Sequence, residues 1–102
     1  MSLGCWKDDI PRALPSLEGK SEILNEHYKR RANPIQKCHN AAVEKGYTTF
    51  AIQDDGQCFS SADAKSKYKV YGRSDACSSA GTGGPMANNV YEIKISKFDF
   101  IV

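Results

Sequence analysis

The segment Asn33–Ser60, NPIQKCHNAAVEKGYTTFAIQDDGQCFS, decides the fold. It reads as a short helix, a glycine stop, a buried strand, a tight turn and a second strand. Asn33 can cap the helix, and Pro34 suits the first helical position, where its missing N–H costs nothing. Ile35, Cys38, Ala41 and Ala42 recur at helical spacing and form one apolar stripe, with Val43 nearby. Gln36, Lys37, Asn40 and Glu44 fall off that stripe. Gly46 is the expected stop, and Lys45 in the last turn suits the helix dipole. Tyr47–Ile52 is rich in strand formers, and Asp54-Asp55-Gly56 is a turn before Gln57-Cys58-Phe59. A bridge between Cys38 and Cys58 would staple helix to hairpin, and closing a loop of that size stabilises by roughly 3 kcal/mol.

Working outward, a chain of 102 residues makes one domain over 1–102. Its core is modest, so cross-links would help. The net charge is +2 with both signs interspersed, which argues against a nucleic-acid partner. Cys5, Cys38, Cys58 and Cys77 stand far apart with no CxxC pair. That spacing points to two disulfides in an oxidising compartment rather than to zinc, and three pairings remain open. No apolar run is long enough to span a bilayer, so no membrane insertion is expected. No signal peptide is read, so a secreted domain would here be a mature fragment or an excised module.

Gly4–Asp8 reads as a first strand and Pro11–Pro15 as extended, proline-bounded chain. Leu17–Ala32 is a polar connection with Ile23, Leu24 and Tyr28 turned inward, and Ser21 can cap a short helical turn to His27. Ser61–Lys67 suggests one helical turn, and Tyr68–Tyr71 a short strand or an ordered loop. Gly72–Asn88 is glycine- and serine-rich. Val90–Ile95 alternates as a strand with one buried face, and Phe98–Val102 continues apolar as a last strand or a connection onward.

The order of these segments resembles one family. Gly4-Cys5-Trp6-Lys7-Asp8, then Arg12-Ala13-Leu14, then a helix bearing Cys38, then Gly46–Gln53 and Gly56-Gln57-Cys58 look like the WSC domain. Gly83-Gly84 and Val90-Tyr91 more loosely echo its closing segment. WSC domains carry eight cysteines where this chain has four, and Ala42 stands where a second helix cysteine belongs. The resemblance implies the pairing Cys5–Cys77 and Cys38–Cys58. It also implies an extracellular, non-catalytic module that binds carbohydrate or mediates adhesion.

Other constellations have plainer readings. His39 lies beside Cys38, but a Cys–His nucleophile needs a free thiol and contact in space. No Gly-x-Ser-x-Gly, HExxH or phosphate loop occurs, so an enzyme is the least favoured class. Asp8-Asp9 and Asp54-Asp55 could offer oxygens to calcium, yet the second pair is a common hairpin turn, and no metal or cofactor is assigned. Lys29-Arg30-Arg31 could touch anionic glycans, but three such charges read first as a solvated loop.

Sugar rings pack a C–H face on aromatic rings and need planar polar partners for their hydroxyls. The candidates are Tyr68, Tyr71, Asn88, Asn89 and Arg12, while Trp6 beside Cys5 reads as packing. The expected fold is therefore a small α+β domain: one helix on a small, twisted, mostly antiparallel sheet, with long loops and two disulfides. The expected partners are glycans, or matrix and cell-surface proteins. A protein-interaction module of a larger receptor and a secreted toxin-like protein are the alternatives.

Overall fold

The computed structural model describes residues 1–94. Ile95 and the apolar stretch Phe98–Val102 lie outside the described residues. Among those described, four strands form one sheet: β1 (Ser2–Lys7), β2 (Thr49–Gln53), β3 (Gln57–Ser60) and β4 (Ala87–Glu92). Their spatial order is β1–β4–β2–β3, and every neighbouring pair is antiparallel. The main helix is α1 (Pro34–Glu44), and a single helical turn, α2 (Ala64–Lys67), follows the hairpin. The fold is α+β with two disulfides, Cys5–Cys77 and Cys38–Cys58, and no described cysteine is free.

Helix α1 begins and ends at the residues its sequence signals mark, but its start is made differently. Asn33 sits in left-handed backbone (φ 51°) and its side chain makes no capping bond. Its carbonyl instead accepts from the Lys37 N–H at 3.0 Å. At the other end Gly46 (φ 78°) takes the left-handed turn that glycine enters without steric cost. The Gly46 N–H donates to Val43 and the Tyr47 N–H to Ala42, both at 2.9 Å, which closes a Schellman motif. Lys45 falls at the cap itself, just beyond the last turn.

Strand alternation splits the core in two. Phe50, Ile52 and Cys58 face α1, where they meet Cys38, Ala41, Ala42, Leu17 and Leu24. Ala51, Phe59 and Val90 face the other way, against Trp6, Leu14, Ala64 and Tyr68. The sheet is thus covered on both sides, by the helix on one face and by loops and α2 on the other. Its edges are covered too. The Leu17 N–H donates to Cys58 and the Ser60 N–H to Pro15 along β3, while Ser74 donates to Cys5 along β1.

The last strand starts three residues earlier than its β-rich sequence indicates. Asn88 and Asn89 are the paired centre of β4, matched to Gln53 and Ile52 on one side and to Trp6 and Cys5 on the other. Asparagine is depleted in strands, so propensity places both residues in the glycine loop. Pairing on both sides and burial override that preference. Tyr68–Tyr71 forms turns, not a strand.

Candidate functional site

At the loop-covered face, the chain leaving β1 (Asp8–Ala13) meets the turn Tyr71–Gly72 and the turn Gly83–Met86. The Lys7 N–H donates to Gly72 at 2.8 Å and the Asp8 N–H to Met86 at 2.9 Å. The Tyr71 hydroxyl donates to the Pro11 carbonyl. Gly83 adopts φ 73°, and a Cβ there would lie 2.2 Å from the Ile52 carbonyl oxygen. Only a glycine lets this loop seat on β2.

Asp8 is the hub. Its side chain is wholly buried. Oδ1 accepts from the Asp9 and Ala13 amides, each at 2.9 Å. Oδ2 accepts from Arg12 Nη1 at 2.9 Å and from Gln53 Nε2 at 2.8 Å. Burial alone would raise the carboxyl pKa. The bonds from Ala13, Arg12, Gln53 and Asp9 outweigh it and hold the carboxyl below its ordinary value. Gln53 also donates to Asn88 Oδ1 at 2.9 Å, while its own oxygen accepts from Arg12 at 3.1 Å.

Arg12 is therefore pinned through one nitrogen. Nη1 carries the bonds to Asp8 and Gln53 and a 3.3 Å contact to Met86 Sδ, and the guanidinium lies 5.5 Å from the Phe59 ring centre. Nε and Nη2 make no hydrogen bond among the described residues, and about a third of the side chain is open to solvent. Met86 (38% exposed) lies against it, and Ile10 (71%), two residues earlier in the chain, is exposed apolar surface. A fixed, partly open guanidinium with spare donors beside apolar surface can take a polar group and an apolar face together.

The five ligand candidates separate here. Arg12 and the half-buried Tyr71 lie at this surface. Tyr68 does not: it is buried edge-to-face on Trp6, with ring centres 5.3 Å apart, because the second core cluster needs its ring. Asn88 is fully buried, its oxygen bound to Gln53 and its Nδ2 without a partner. Asn89 is nearly buried within β4. Trp6 packs into the core, its indole N–H donating to Leu3 at 2.9 Å.

In the basic run Lys29-Arg30-Arg31 the first two residues are exposed, as a solvated loop would have them, and the third is not. Arg31 is buried and binds Glu18, Glu26 and the carbonyls of Gly56, Leu24 and Glu26. Lys29 pairs with Asp54 at 3.1 Å. Hydrogen bonds from Lys37 and Arg31 draw the Glu26 pKa down to about 2. Gln53 escaped the sequence reading and Asp8 entered it only as a possible calcium ligand, although an aspartate four residues before an arginine was a usable sign of the Asp8–Arg12 pair. Among the described residues, no group of three or more His, Cys, Asp or Glu side chains could hold a metal ion. No described helix is long and apolar enough to cross a membrane.

The bridges Cys5–Cys77 and Cys38–Cys58, the Arg12-Ala13-Leu14 segment with its buried Ala13 and Leu14, and the stapled helix and hairpin stand together in one fold. The family profile of the WSC domain matches residues 2–88. The chain belongs to the WSC family. WSC domains are cell-surface or extracellular modules, and the two disulfides of this one fit an oxidising environment. Comparison with curated proteins gives no match.

Proposed function

We propose that this WSC domain is a non-catalytic binding module that holds extracellular glycans at the Arg12 surface and so serves recognition or adhesion. The observation that carries this reading is the guanidinium of Arg12. It is oriented by Asp8 and Gln53, with Nε and Nη2 spare, beside exposed Met86. Sugar hydroxyls take planar donors, and their C–H faces take apolar surface. The half-buried Tyr71, tied to the same loop through Pro11, offers ring edge beside it.

A glycan array of neutral and acidic sugars tests the reading, with Arg12→Gln as the comparison. The parent domain binds at least one glycan class and Arg12→Gln, checked for an unchanged melting profile, loses it. Absence of binding to every glycan at high protein concentration overturns the reading. The large exposure of Ile10 favours a protein partner as the second reading. Capture of a matrix or cell-surface protein that survives its deglycosylation, and is lost on Ile10→Ser, decides for it.

A further inference from the structure

Positive charge is not spread over this molecule as the chain order suggests. Residues 64–73, AKSKYKVYGR, hold four basic side chains and no acidic one. The chain has 14 basic and 12 acidic residues, so the other ten basic and twelve acidic ones leave the rest at −2. The whole positive excess of the domain therefore belongs to this one segment.

The structure pairs several of the other cations, while Lys20, Arg30 and Lys45 have no carboxylate within 4.0 Å among the described residues. Lys29 meets Asp54, Arg31 meets Glu18 and Glu26, Lys37 meets Glu26, and Arg12 meets Asp8. Within the segment Lys65 reaches Glu92 at 3.4 Å. Lys67, Lys69 and Arg73 have no carboxylate within 4.0 Å among the described residues, and nor does the neighbouring Lys7. All four are exposed.

Two of these cations stand on one aromatic pair. Arg73 Cζ lies 4.7 Å from the Trp6 ring centre, and Lys69 Nζ lies 5.5 Å from that of Tyr68. The two rings meet edge to face at 5.3 Å. Each ring holds its cation by the ring quadrupole while leaving the outer side of the charge to solvent. Lys67 precedes Tyr68 in the chain, whereas Lys7 follows Trp6 in β1 and so leaves the sheet on its other side. Mutually repelling cations held together without carboxylates are complementary to a ligand with several anionic groups.

We propose that Lys67, Lys69 and Arg73 form a cationic strip that binds a linear polysaccharide bearing sulfate groups. The proposal rests on the glycan-binding reading above and adds a second surface with its own ligand class. Trp6 and Tyr68, buried as rings, hold the cations in place rather than touching sugar. Binding to such a chain is driven by release of its condensed counterions, so it weakens steeply with salt.

The test is retention of the whole domain on immobilised heparin, against desulfated heparin, across a salt gradient. The parent is retained on heparin and not on the desulfated matrix. Lys67→Gln/Lys69→Gln/Arg73→Gln runs through unretained, and Lys29→Gln/Arg30→Gln elutes with the parent. In solution the log–log salt slope falls by about one for each cation lost. Should loss of Arg73 from the Trp6 face unfold the triple variant, Lys67→Gln/Lys69→Gln still gives earlier elution. Co-elution of the folded variants with the parent overturns the proposal. Tighter binding to phosphatidylserine vesicles or to single-stranded DNA than to heparin fragments overturns its ligand class. A domain that binds neutral glycans on the array but ignores heparin refutes the strip alone, whereas one that binds no glycan refutes both readings.

Discussion

The two faces of the sheet are closed by different physics. On the helix face Cys38 and Cys58 are both fully buried, and Arg31 gathers Glu18, Glu26 and three carbonyls into one ionic knot beneath the chain. The other bridge, Cys5–Cys77, ties the edge strand β1 to the loop after Gly72, is only partly buried and belongs to neither core cluster. On the loop face the polar network Asp8–Gln53–Asn88 is sealed below but open above through Arg12. The difference assigns labour. The helix face holds the buried bridge and the ionic knot, and the opposite face presents its loops on that support.

The disulfides put this contrast to its hardest test, because two arguments rank them oppositely. Cys5 and Cys77 are 72 residues apart, and Cys38 and Cys58 are 20 apart. Chain entropy alone gives about 4.4 kcal/mol for the first and about 3.3 kcal/mol for the second. Measured stabilisation follows loop length only weakly, and a buried bridge also fills core volume. Cys38→Ala/Cys58→Ala is therefore expected to cost about 5 kcal/mol, and Cys5→Ala/Cys77→Ala about 3 kcal/mol. Urea denaturation of the two double variants measures both. The reverse ranking would mean that loop closure, not packing, sets the stability of this fold.

Arg31→Met sharpens the same contrast without touching sulfur. It leaves Glu18 and Glu26 without their buried partner, and the Gly56 carbonyl without the donor that reaches it at 2.7 Å. Breaking a buried pair from one side costs about 3–4 kcal/mol, whereas Lys37→Met on the exposed side of Glu26 costs under about 1 kcal/mol. Equal losses in thermal or chemical denaturation would show that the burial of Arg31 contributes nothing.

The helix face was the more legible in sequence for reasons visible in its residues. Pro34, the stripe from Ile35 to Ala42, Gly46 and the strand Thr49–Gln53 each carry a local signal that agrees with its tertiary setting. The loop face is built from long-range choices. Asn88 and Asn89 read as loop because asparagine disfavours strands, yet Gln53 and the neighbouring strands make them its centre. Tyr68 reads as a free ring because nothing nearby in sequence shows that Trp6 will lie against it. The basic run at Lys29–Arg31 stood out as a triplet, but its acidic partners come from residues 18, 26, 54 and 55. The charge that the fold leaves open is spaced by serine, tyrosine and valine, so no run announces it.

A substitution of smaller expected effect than Arg31→Met tests the loop face directly. In Asp8→Asn the amide group must replace one oxygen. Whichever way it turns, two donors face a third: Asp9 and Ala13 on one side, or Arg12 and Gln53 on the other. Gln53 can turn its own amide over only by abandoning Asn88, so the substitution costs about 2 kcal/mol near neutral pH. The pH dependence has a definite sign. The Asp8 carboxyl is held below its unfolded value of about 3.9, so its contribution is complete above about pH 5 and is lost as pH falls through the folded pKa. The parent should thus lose stability between about pH 5 and pH 2 more steeply than Asp8→Asn, with the two curves converging at the acid end. Glu26, drawn down to about 2 by Lys37 and Arg31, loses its contribution over the same range in both proteins, so it cancels from the difference. Parallel curves across that range, from thermal melts at each pH, would show that the buried carboxylate does not hold Arg12 in its charged pair, and that the orientation of the guanidinium has another cause.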